Sequence, residues 1–256
     1  HLDVGTLSVV TVFVTALLGS LLVFAGLQNR HIRALRWWGA AQILGSFGLG
    51  LLSLRGQAPD FLVIEVGNAV VLLAYGLLWA GARLFDGRRV LLPVIVVAPI
   101  VWLLACRLPI FAHGVNLRIV VQSALAAALI IATAREIWRG RAEPLMSRKP
   151  AVVVLLGYSA LVLGRIPATY FSPFLDASQL LNGPVFALLA FAGLLFTLVM
   201  SFLLLNLTKE RTELHHKINA SVDPLSGVAN RRAFLEGGRA LVAQQVRERA
   251  PVAVRA

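Results

Sequence analysis

Between positions 4 and 207 the chain is a succession of apolar runs with very few charges inside them, and its charges collect in the short segments between. A hydrocarbon core about 30 Å thick takes ~20 apolar helical residues to cross. Seven windows meet that demand: 4–27, 35–54, 61–85, 90–106, 115–138, 151–170 and 184–207, of which 90–106 is the shortest. The pattern predicts an all-α membrane protein, a seven-transmembrane helix bundle. Composition agrees, because 58% of the 256 residues are hydrophobic and only 14% are charged, against about 25% charged in a soluble domain. Too little polar side chain is present to cover a globule in water, so lipid is the expected solvent and partner.

The net charge of +12 would suit a nucleic-acid ligand. The basic residues are instead scattered among loops between apolar spans, so no nucleic acid is expected. One cysteine, Cys106, excludes an internal disulfide and a cysteine-built zinc site. The chain starts at His1, which suggests a processed or cut start, and no Lys or Arg precedes Leu7. The first run is therefore read as a span and not as an ordinary signal peptide.

Loop charge alternates along the chain. Arg30, Arg33 and Arg36 follow the first window, Arg83, Arg88 and Arg89 flank the end of the third, and Arg139, Arg141, Arg148 and Lys149 follow the fifth. The intervening loops hold only Arg55 and Arg107. Positive loops stay in the cytosol during insertion, so the expected topology is multi-pass and N-out/C-in. Trp37, Trp38, Trp79 and Trp138 fall at the inner boundaries and Trp102 and Tyr170 near the outer one, the headgroup level that indole and phenol favour. Small residues four apart (Ala41 and Gly45, Ser46 and Gly50, Gly76 and Ala80, and the row Ala124, Ala128, Ala132) predict close helix packing.

Ionisable residues inside a span cost at least ~2.5 kcal/mol, so they are usually paired or functional. Glu65, Arg118 and Arg165 qualify, and the topology puts all three in the outer third. They are candidate ligand-binding residues: the arginines could hold an anion, with Glu65 as counter-charge. They could equally tie helices together or snorkel to the headgroups. Pro167 interrupts the helical ladder close to Arg165, and Gln42 with Ser46 reads as an interhelical hydrogen-bonding site. A retinal protein is excluded, because the last span has no lysine for a Schiff base.

The last window leads into LLLNLTKERTELHHKINASV from Leu203. Leu207, Leu214 and Ile218 share one face, which predicts a short coiled-coil seam with Arg211 weakening it, and a homodimer formed through this helix. Adjacent His215 and His216 face different ways and read as surface residues, with no metal site. Next come Asp223-Pro224-Leu225-Ser226-Gly227-Val228 and Asn230-Arg231-Arg232-Ala233-Phe234. Pro224 ends the preceding helix, Gly227 lets the backbone reverse and Asn230 can cap a new helix. Phe234, Leu241 and Val242 would pack that new helix on a sheet.

This string resembles the opening turn and first helix of GGDEF domains, the α/β catalytic modules of diguanylate cyclases, with serine and valine where that family commonly has threonine and leucine. The resemblance implies three parts: a transmembrane sensor domain at 1–207, a cytosolic signalling helix at 208–222 and an N-terminal GGDEF fragment at 223–256. It implies a parent that converts GTP to cyclic di-GMP with Mg, and Asp223, Pro224, Asn230 and Arg231 as the hinge between helix and domain. The family's catalytic and metal-binding positions lie beyond its opening helix, so no catalytic residue, metal site or cofactor is expected in this chain. An unknown small ligand or membrane stimulus would act on the spans. Two other readings fit the same composition: a seven-helix transporter or small-molecule channel with an incidental cytosolic tail, and a structural membrane anchor.

Overall fold

A computed structural model describes residues 4–29, 31–171 and 184–221, with Phe234, Leu235, Arg239 and Val242 beyond them. Every regular element among the described residues is helical. In chain order they are α1 (Val4–Gln28), α2 (Arg33–Ser53), a π-helical segment (Phe61–Val66) that runs into α3 (Gly67–Phe85), α4 (Leu92–Ala105), the short α5 (Pro109–His113), α6 (Val115–Arg139), α7 (Arg148–Phe171) and α8 (Pro184–Ser221). The chain divides into two compact units, His1–Thr208 and Lys209–Ala256.

Among the described residues five helical stretches are long and apolar enough to cross a membrane: Gly5–Gln28, Phe61–Phe85, Asn116–Arg139, Arg148–Pro167 and Leu188–Lys217. The first unit is therefore built as a multi-pass membrane protein. The expected count of seven included α2 and α4, and neither reaches that standard. α2 has the length, at 21 residues, but carries Arg33, Arg36 and Gln42. α4 is apolar throughout but only 14 residues long, or ~21 Å at 1.5 Å per residue.

α3 is the hub of this unit and packs against α2, α4 and α6, while α1 packs on α2 and α7 on α6. The contacts depend on missing side chains. Gly19 and Gly39 let α1 and α2 touch backbone to backbone, since a Cβ on Gly39 would stand 2.6 Å from the Gly19 carbonyl oxygen. Gly76 admits α4 in the same way, with the Ile95 carbonyl 2.8 Å from where its Cβ would be. Pro99, one turn later in α4, has no N–H to offer that carbonyl. One core gathers Val63, Leu72, Trp102, Phe111, Ala126, Leu129 and Val162. Outward faces stay apolar: Val9, Phe13 and Phe24 on α1 and Leu188 and Phe202 on α8 are all exposed, as lipid-facing residues should be.

Several expectations change here. Trp38, Trp79 and Trp102 are buried core residues and not headgroup anchors, whereas Trp138 is exposed. The indoles of Trp38 and Trp102 satisfy their N–H on backbone carbonyls, Leu78 at 3.2 Å and Glu65 at 3.0 Å. The row Ala124, Ala128, Ala132 does not make the packed face of α6, because Ala124 and Ala128 are exposed. Ser123, Ala126, Ala127, Ile130 and Ala134 are buried instead. Pro167 lies inside α7, which runs on to Phe171.

Candidate functional site

Two polar clusters involve the residues singled out from the sequence. The first starts at the π-helical segment. Glu65 sits in its wide turn and offers its backbone carbonyl to Trp102. π-Helical turns recur at functional sites because the wider turn re-aims side chains and carbonyls. The Glu65 carboxylate is ion-paired with Arg107, whose side chain is 59% exposed, so solvent screens the pair. The Arg107 guanidinium lies over the Phe61 ring, 5.8 Å from its centre. Trp102 meets Phe111 edge-on at 6.3 Å, and Arg118 Nε donates to the Phe111 carbonyl at 2.6 Å. Half-buried Cys106 lies within electrostatic range of Glu65, Arg107 and Arg118. The structure thus brings Glu65 and Arg118 to one end of the bundle, each held by a different partner. Arg107 was missed as a site residue because a loop arginine reads as a topology signal.

Arg165 belongs to a second cluster. It is half-buried on α7, and Tyr75 and Tyr158 lie within its electrostatic range. The two phenol oxygens are 3.4 Å apart. Tyr158 stacks on Phe196 of α8, with ring centres 4.0 Å apart and planes inclined by 8°. Tyr158 and Arg165 are seven apart, hence on one face of α7, and the Cα–Cβ bonds of a helix tilt toward its N-terminus, so Arg165 leans toward the tyrosine. Sequence reasoning passed over both tyrosines. Their signal was position: two of only three tyrosines fall in mid-span and not at a boundary.

At the opposite end from Glu65 the basic segments meet. Trp38 near the start of α2 meets Phe85 at the end of α3, with ring centres 5.5 Å apart and planes inclined by 39°. Arg148 at the start of α7 bonds Asp86 just past α3, and Arg83 and Arg88 bond Glu136 in the last turn of α6. The basic loops after α1, α3 and α6 therefore share one end; Arg30 lies outside the described residues.

α8 is tied to the bundle by the Phe196 stack and by a 2.6 Å hydrogen bond from Gln42 Nε2 to Ser201 Oγ. Of the seam residues, Leu207 is fully buried within the first unit. Leu214 is half-buried, and the Ile218 side chain lies outside what the structure describes. His215 and His216 are exposed. Asp223, Pro224, Asn230 and Arg231 lie outside the described residues, while Phe234 and Val242 are exposed. Among the described residues no three His, Cys, Asp or Glu side chains converge as a metal site would require. Comparison of the chain with protein-family models, with curated proteins and with solved structures found no match.

Proposed function

We propose that this chain is the sensor and signal-transducing region of a bacterial inner-membrane protein that resembles diguanylate cyclases. In this reading it has seven spans, with the N-terminus outside and the C-terminus in the cytosol. A small ligand at the outer side, or a change in the membrane, biases the packing of the spans, and Glu65, Arg118 and Arg165 are the candidate residues for sensing it. α8 carries the bias as a rotation or displacement. A homodimer through the C-terminal helix sets the spacing of two cytosolic domains, which in the family bind GTP and Mg and form cyclic di-GMP. The described residues do not make a metal site, so no step through Mg or GTP is assigned to them.

The observation that carries the reading is the length of α8. It has 38 residues, ~57 Å of helix at 1.5 Å per residue. A bilayer core consumes about 20 of them. The remainder, ~27 Å, continues as helix to Ser221, two residues before Asp223, where the GGDEF-like string begins. A helix that is bonded to Gln42, stacked on Tyr158 and unbroken past Thr208 is a suitable transmitter. The meeting of basic loops at one end supports the C-in orientation. α2 is long enough to be a further span, and α4 can be one where the bilayer thins or the helix is covered by neighbours. Such a switch works only if the stimulus favours one packing over the other.

The test joins residues 1–222 to a complete cyclase domain and measures cyclic di-GMP in membranes. Insertions after Thr208, up to about one heptad, should make output rise and fall with helical phase. Replacing 1–207 by one unrelated dimerising span should remove regulation. Regulated output that survives the replacement refutes the sensor role, and flat output across the insertions refutes transmission through α8.

A further inference from the structure

The end of the bundle that carries the basic loops holds more positive charge than its own carboxylates neutralise, and holds it in a fixed arrangement. Segments 83–91 and 135–149 contain eight Arg and Lys residues against three Asp and Glu, a surplus of five. Part of this charge is organised around one carboxylate. Glu136 is 5% exposed. Arg83 Nη1 lies 2.9 Å from its Oε1, Arg139 Nη1 lies 3.6 Å from the same oxygen, and Arg88 Nη1 bonds Oε2. A carboxylate accepts about four hydrogen bonds, and three guanidiniums carry far more N–H donors than that. Donors therefore remain after Glu136 is saturated.

The same three side chains grade outward, at 16%, 29% and 52% exposed for Arg83, Arg88 and Arg139. The innermost is also the most constrained. Arg83 Nε donates to the Arg89 carbonyl at 2.8 Å, and its guanidinium lies 5.1 Å over the Trp79 ring. The neighbouring Arg148 differs: it is 2% exposed and enclosed by Asp86, Glu143 and the Ile137 carbonyl. Two carboxylates answer its charge, and although its buried Nε has no hydrogen-bond partner among the described residues, it has no open side.

Depth identifies the occupant. Arg83 and Glu136 stand in the last turns of two helices long and apolar enough to cross a membrane, and Arg139 is the final residue of the second. Exposed Trp138 stands beside Arg139, at the level where indoles meet headgroups. Lipid phosphates lie at that level. Guanidinium forks match the paired oxygens of a phosphodiester, and basic pockets between membrane helices hold anionic headgroups. We propose that Arg83, Arg88 and Arg139, aligned by Glu136, bind the phosphodiester of an anionic lipid headgroup. Glu136 keeps the forks in place before the lipid arrives, which lowers the entropy lost on binding. The proposal needs a membrane but not the sensor reading.

The test uses the whole chain in nanodiscs of phosphatidylcholine mixed with phosphatidylglycerol, with retained lipid counted by native mass spectrometry. The wild type should retain phosphatidylglycerol selectively. Arg88→Gln and Arg139→Gln should each weaken retention about five-fold, and the double variant about thirty-fold. Arg33→Gln/Arg36→Gln removes the same charge from the start of α2 and should change retention less than about two-fold. Equal loss in the two double variants would show a diffuse charge effect and overturn the site. Displacement of the lipid by inorganic phosphate in solution would overturn the lipid as occupant. If the Arg88/Arg139 double variant does not fold, the singles decide, and unchanged retention in both rejects the proposal.

Discussion

Replacing Arg148 by Met tests whether the loop after α6 is locked to α3 by a buried ion pair. Arg148 is 2% exposed, and its Nη2 donates to Asp86 Oδ1 at 2.8 Å and to Glu143 Oε2 at 2.7 Å. Its Nη1 also donates to the Ile137 carbonyl at 3.0 Å, and the guanidinium lies over Phe85 at 5.4 Å. Charge-assisted bonds contribute about 1.5–3 kcal/mol each. Two such bonds would sum to ~3–6 kcal/mol, but the Glu143 side chain is 24% exposed and partly screened. Breaking a buried pair from one side costs about 3–5 kcal/mol, because the abandoned carboxylate stays buried. Arg148→Met should therefore lower unfolding stability by about 3–5 kcal/mol, read from reversible unfolding in mixed micelles by circular dichroism. Adding Asp86→Asn should recover part of that, since the two residues couple by about 0.5–3 kcal/mol when they act as one unit. A loss under about 1 kcal/mol, the scale of an exposed pair, would refute the reasoning. So would strict additivity of the two substitutions.

Three further outcomes are expected. Gly39→Ala should destabilise by about 1–3 kcal/mol, because the new Cβ meets backbone atoms of Gly19 and Val23 at 2.6 and 2.7 Å. Gly45→Ala in the same helix should be tolerated, its nearest neighbour being the Ala74 Cβ at 3.6 Å; thermal unfolding of the pair checks the contrast. Trp102→Phe keeps a ring in the core but removes the donor to the Glu65 carbonyl, so stability should fall by about 1 kcal/mol and amide exchange over 61–67 should quicken. Unchanged exchange there would show that the indole does not hold the π-helical turn. Gln42→Leu should change stability by less than about 1 kcal/mol: it gives up the bond to Ser201 but also removes a buried Oε1 that has no partner among the described residues. A large loss in the same melt would show that the Gln42–Ser201 bond matters more than its unmatched oxygen.

What hydropathy makes legible is where the helices run. The windows 4–27, 35–54, 115–138 and 151–170 differ from α1, α2, α6 and α7 by three residues or fewer at each end. The window 184–207 and the helical pattern beyond it merge into the single helix α8. Apolar length suffices for this because lipid offers no partner to a free N–H or C=O, so a greasy run is forced to bond within itself. Charge contributed the grouping of loops, since arginines that gather on one side of a membrane must share one end of a bundle.

Which faces of those helices meet was legible only in part: small residues marked the buried Ala41 and Ser46 of α2 and Gly76 and Ala80 of α3, but not the packed face of α6. Lipid and protein interior are equally apolar, so hydrophobicity does not separate a packed face from an exposed one. Ala128 and Ala127 are neighbours in sequence, yet the first faces outward and the second is buried. Trp38 and Trp138 both looked like headgroup anchors, and only the first found a carbonyl, that of Leu78, inside the bundle. The pairings Glu65 with Arg107, Glu136 with Arg83 and Arg88, and Tyr158 with Phe196 likewise join residues far apart in the chain. Sequence alone determined that this chain forms helices and which stretches lipid would accept. Tertiary structure decided which side chains turn toward one another, because close backbone approach and hydrogen-bond geometry, and not greasiness, select helix partners where everything around them is grease.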